Sequence, residues 1–296
     1  MQPDANPDSL PALNPVFYPM SSSTTSQSPA GNATVATLLG WFLPGAGQLY
    51  LGQMALGVIA FVVVEGCFGL GYLLSDGRVW EFLDAELRSD FATLLSPEAG
   101  NLGGWLFVKK TAAYGPGFPR MHLDTVHIGS MLMAMSGVLN ICFMVRAHLD
   151  ARVGNRRGSV SVPPALAVGA AWFFPGLGHF LQGRKKRALM VAGLLLGLFF
   201  LGTYFAAGTN LSRERHFYYW AGQFFLGLPA MATELVSGRP AVTGRIEFMD
   251  VGLLFASMAG LLNVLAMLDV FAWGEDQVLG NDPVEARRKQ REDKQA

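Results

Sequence analysis

Four apolar stretches of about 20 residues each dominate the chain, at 55–74, 126–145, 188–207 and 251–272. As helices rising 1.5 Å per residue, each covers a hydrocarbon core of ~30 Å. This predicts an all-α polytopic integral membrane protein. The charge content agrees. Only 15% of the residues are charged, against about 25% in soluble domains.

Two shorter apolar runs, 35–43 and 165–174, precede the first and third stretches. Each ends in nearly the same phrase: WFLPGAGQLYLG at 41–52 and WFFPGLGHFLQG at 172–183. The shared positions are Pro44, Gly45, Gly47 and Gly52, then Pro175, Gly176, Gly178 and Gly183. Proline removes a helix hydrogen bond and glycine frees the backbone. Ten helical residues cover about half a bilayer. Each short run is therefore either a kinked full span or a re-entrant half-helix.

The match extends further. IGSMLMAMSGVLN at 128–140 aligns with VGLLFASMAGLLN at 251–263. The chain reads as two tandem copies of one unit: broken helix, span, loop, span. The expected organisation is a disordered Pro-, Ser- and Thr-rich tail (1–33), a first membrane repeat (34–147), a basic linker (148–161), a second repeat (162–273) and a charged tail (274–296).

Basic residues set the expected topology. They cluster in the linker, in the C-terminal tail and in Arg184, Lys185, Lys186 and Arg187. Short basic loops favour the cytoplasmic side. All three clusters lie there only if the broken helices are re-entrant. Four spans with both termini cytoplasmic are then preferred over six. The outer loops would be 75–123 and 208–246. In the first, 80–95 reads as a short amphipathic helix. In the second, the aromatic cluster at 217–220 suits a membrane interface, and Pro229 argues against another clean span.

The phrase Pro-Gly-x-Gly-[Gln/His]-[Leu/Phe]-x-x-Gly resembles the motif of the small "TM-two" membrane domain, at Gly45, Gly47, Gln48, Tyr50, Leu51 and Gly52 and at Gly176, Gly178, His179, Phe180 and Gly183. The first copy has Gln where that motif usually has His, and the second lacks Tyr-Leu. The span ending at Asn263 looks similar to bacterial multi-span families carrying this hairpin. The resemblance implies a bacterial inner-membrane protein and no particular chemistry.

Glu65 lies near the middle of its span. An intramembrane ionisable residue is a functional candidate by default, and His179 is a conceivable partner. The matched position in the second half is Leu196. Asn140 and Asn263 occupy matched places on the last spans. With the small residues Gly252, Ala256 and Gly260 they suit helix packing, and the two Asn could meet between the halves. Gly193 and Gly197 form a GxxxG of the same kind. Asp124, His127, Glu247 and Asp250 cluster at span entrances, a weak metal candidate. Arg184–Arg187 is read as a contact for anionic lipid headgroups. Nothing points to nucleic acid, since the formal net charge is zero. Cofactor and catalytic motifs are absent. The expectation is a non-enzymatic structural or interaction protein of the bilayer, with a protein partner or homo-oligomer conceivable. The alternatives are a small transporter using Glu65 and, more weakly, a membrane enzyme.

Overall fold

The computed structural model describes residues 31–80, 83, 85–111, 124–154, 162–238 and 244–280. The expected disordered tail falls almost wholly outside the described residues, as do half of the linker and most of the C-terminal tail. Among the described residues the regular structure is helical throughout. Four helices are long and apolar enough to cross a membrane, so the protein is an all-α polytopic membrane protein.

The first half begins with α1 (Ala33–Phe42), capped by the Asn32 side chain, which accepts from the Thr34 and Val35 amides. A turn leads to α2 (Ala46–Tyr50), then to α3 (Met54–Ser75), the first long helix. In the segment expected to be the first outer loop, α4 (Asp90–Leu94) and a 3₁₀ turn at Pro97–Gly100 precede α5 (Leu102–Thr111). α6 (Val126–Val153) completes the half. The second half repeats this order with α7 (Pro164–Phe173), α8 (Leu177–Leu181), α9 (Lys185–Phe205), α10 (Phe217–Phe224), α11 (Leu228–Ser237) and α12 (Met249–Val278).

Hydrogen bonds along α6 show where each segment lies. α1 starts beside its C-terminal part, where Ala36 packs with Ala147 and Ala151. Its tip reaches Asn140, which donates to Gly40 O at 2.9 Å. The chain then turns back. Gln48 Nε2 donates to Phe143 O at 2.8 Å and Gln53 Nε2 to Asp150 at 3.0 Å. α3 starts at that level and runs the full length of α6, until Thr125 Oγ1 donates to Leu74 O at 2.7 Å. The second half follows the same path. α7 starts where Pro164 faces Gly274, its tip meets Asn263, and Gln182 Nε2 donates back to Val270 O at 2.7 Å.

Glycine makes the turns possible. Gly45 and Gly176 have φ of 84° and 83°, a region costly for residues with a Cβ. A methyl at either would overlap the carbonyl oxygen of Gly57 or Ala188, at matched places in the following helices.

Two expectations are corrected. The segment 80–95 is not one helix. Ser89 has extended backbone and its side chain accepts the Ala92 amide, which separates a 3₁₀ turn at Ala85–Arg88 from α4. Among the described residues Gly193 and Gly197 pack against nothing; a Cβ at either meets open space. Closely packed glycines lie elsewhere: between the long helices, as at Gly129 and Gly252, and where α6 and α12 receive the outer hairpins. A methyl at Gly137 would overlap Pro97 O, and one at Gly260 would overlap Gly222 O.

Gly260→Ala should therefore lower unfolding stability by about 1–3 kcal/mol through overpacking, because the obstructing atom is backbone. Gly197→Ala should cause no loss. Unfolding in mixed micelles measures both.

Candidate functional site

Each half contains a junction at mid-helix. α1 and α7 end beside the middles of α6 and α12, and carbonyls of their last turns lack helical partners. Asn140 lies halfway along α6 and Asn263 halfway along α12. The Asn140 amide donates to Gly40 O and Gly100 O, both at 2.9 Å. Asn263 donates to Ala171 O at 3.0 Å and Phe225 O at 2.9 Å. One acceptor of each pair comes from the inner hairpin and the other from the outer loop. The two Asn therefore do not meet between the halves. Each is fully buried in its own half, because an amide with two N–H donors matches two stranded carbonyls.

Glu65 is half-buried, and its Oε1 accepts from Asn101 Nδ2 at 3.1 Å. Asn101 is fully buried, and its Oδ1 accepts the Gly104 amide at 3.1 Å, capping α5. Glu65 thus ties the outer hairpin to α3. It does not pair with His179. That imidazole lies in α8, with Nε2 facing Asp269 Oδ2 at 3.1 Å. Asp269 also accepts from Arg184 and, at 2.9 and 3.0 Å, from Arg187.

Asp124, His127, Glu247 and Asp250 are not gathered. His127 Nε2 faces Glu214 at 3.8 Å. Among the described residues no three His, Cys, Asp or Glu side chains converge to hold a metal ion. Asp250 acts on His216 in the outer loop. Burial lowers the His216 pKa, Arg215 lowers it further, and Asp250 opposes both.

The sequence gives no sign of one further contact. Arg213 Nη1 lies 2.8 Å from Glu98 Oε1, with both side chains essentially buried. The guanidinium carbon also stands 4.5 Å from the Trp220 ring centre and 5.3 Å from that of Phe217. Glu98 belongs to the first half and Arg213 to the second, so a buried ion pair joins them. Both residues lie in segments expected to be outer loops. Only the odd placement of Glu98 between Pro97 and the small residues Ala99 and Gly100 could have hinted at burial.

Removing the junction amide should be costly. Asn263→Ala is expected to destabilise by about 1–2 kcal/mol. Asn263→Asp should cost more, since it sets a carboxylate against two carbonyls. Chemical unfolding of the purified variants tests the order.

The chain belongs to a family of unknown function (DUF6677), whose model matches residues 35–157 and 166–283, most of the chain. No curated protein and no solved structure matches.

Proposed function

We propose that this member of a family without assigned function is a non-enzymatic structural or interaction component of a bacterial inner membrane. It is two copies of one unit, with four spans, two re-entrant inner hairpins and both termini cytoplasmic. The observation that carries this reading is the fate of Glu65. Its partner Asn101 directly follows Gly100, the acceptor of Asn140. In the second half the residue after the acceptor Phe225 is Leu226. Glu65 itself matches Leu196. The second half thus has leucine at both matched positions and forms its unit without this polar pair. The Glu65 carboxylate is committed to Asn101, a contact that ties the outer hairpin to α3. The register along α6 and α12 supports the re-entrant topology, since each inner hairpin leaves and regains the same level.

Two measurements test this. Glu65→Gln keeps an acceptor for Asn101 and should stay within about 0.5 kcal/mol of the parent, while Glu65→Leu, alone against Asn101, should lose about 1–2 kcal/mol. If Glu65→Gln folds normally yet abolishes a proton-coupled flux that the parent shows in proteoliposomes, the transporter reading replaces this one. In cells, cysteines at Gln53 and Lys185 in a Cys67→Ala, Cys142→Ala background should be shielded from an impermeant maleimide, and one at Glu247 labelled. Labelling at 185 from outside would overturn the topology.

A further inference from the structure

The joint between α8 and α9 carries a feature that the hairpin scaffold does not need. Arg184, Lys185, Lys186 and Arg187 occupy the start of α9, and with Gly183 and Trp273 they line an open groove of about 350 Å³. Arg184 stands over one wall, its guanidinium carbon 4.6 Å from the Trp273 ring centre. Asp269 holds Arg184 and Arg187 in place. Lys185 stands over the Phe180 ring at 6.0 Å. Among the described residues neither Lys185 nor Lys186 reaches a carboxylate. Four cations therefore face one anion.

The first half is an internal control. At the matched start of α3 the residues are Gln53, Met54, Ala55 and Leu56. The positions matching Asp269 and Trp273 are Arg146 and Asp150, which pair with each other at 3.5 Å. The same hairpin–span joint is thus built without a cationic cluster. Positive charge here is not required to make the turn. Nor is it needed to keep the joint on its side of the membrane, since the first joint lies at the matching level without it. The fold alone gives no reason for concentrating like charges, which repel.

We propose that this groove binds a phosphate group, with Lys185 and Lys186 contacting its oxygens and the Asp269-anchored arginines forming the floor. Arginine and lysine suit phosphate by charge and by donor number. The flanks of the groove continue into the apolar surface of α9, where Leu189 and Met190 are exposed. A headgroup phosphate whose acyl chains lie along that surface fits this geometry. The inference rests on the topology above only for the leaflet from which the phosphate comes.

The test uses the full chain, purified in neutral detergent, with three probes: dihexanoyl phosphatidate, dihexanoyl phosphatidylcholine and inorganic phosphate. Native mass spectrometry counts bound lipid and thermophoresis measures affinity. One phosphatidate should bind saturably and phosphatidylcholine should not. At about one interaction of surface-lysine strength each, Lys185→Gln with Lys186→Gln should weaken phosphatidate binding about thirty-fold. Lys185→Arg with Lys186→Arg should retain binding, and Lys110→Gln on the outer hairpin should leave it unchanged. Effective competition by inorganic phosphate would identify a free phosphoanion as the ligand, and its failure to compete a lipid. Equal binding by the doubly neutralised protein, or equal binding of phosphatidylcholine, would overturn the proposal. Because binding is read in detergent, it is independent of the maleimide result at position 185, so either reading can fail alone.

Discussion

A helix that ends in buried surroundings leaves carbonyl oxygens that water cannot reach, and an unpaired carbonyl there costs several kcal/mol. The architecture of this protein follows from how that cost is avoided. α1 and α7 stop halfway, the outer loops descend to meet them, and one asparagine on the adjoining long helix donates to both. The close approach needed for this explains the glycines opposite the outer hairpins. Gly137 and Gly260 lie one turn from Asn140 and Asn263 and admit the incoming backbone. Remove either the amide or the small residue and the junction loses both its donor and its geometry.

Burial between the halves is mostly apolar. Met131, Ala134 and Val138 of α6 pack with Ala171 and Trp172 of α7, and with Trp220 and Phe224 of α10. In lipid such packing gains no hydrophobic driving force, so shape and polar contacts must supply specificity. The Glu98–Arg213 pair lies at this seam. Burying a charge at membrane depth costs on the order of 3 kcal/mol or more. Either side chain without the other would therefore be strongly destabilising, and the pair fixes how the halves sit together.

Much of this was legible from residue order. The four long helices, the two broken ones and the matched registers at Asn140 and Asn263 follow from apolar run length and from self-similarity, which report local structure. The polar partners were not legible. Glu65 with Asn101, His179 with Asp269, and Glu98 with Arg213 are separated by 36, 90 and 115 positions respectively. No periodicity reports such contacts. The loops misled for a specific reason. The segments 75–123 and 208–246 read only as outer loops, whereas Glu98, Asn101, Asn210 and Gln223 are buried. Their polarity serves backbone and side-chain partners within the bundle. Ser89 likewise ends one turn and caps the next, which a window average over 80–95 cannot resolve.

Comparing the two halves also separates what both share from what only one contains. Turn glycines, junction amides and their small neighbours recur in both, so they belong to the fold. A polar group that occurs once but is answered within its own half, as Glu65 is by Asn101, still serves packing; charges answered elsewhere need another reason. Gln223, the counterpart of Glu98, exchanges hydrogen bonds with Asn210 inside its own half, so neutrality suffices at that position. Glu98 instead carries a charge answered from across the seam. Gln48, the counterpart of His179, donates to a backbone carbonyl of α6, while His179 faces Asp269 and the arginines around it. The first copy thus directs its added charge towards its sibling. The second directs its own towards the end of the bundle where Lys185 and Lys186 stand exposed. Had both additions served stability alone, each joint would have been expected to adopt the neutral solution that its counterpart already uses.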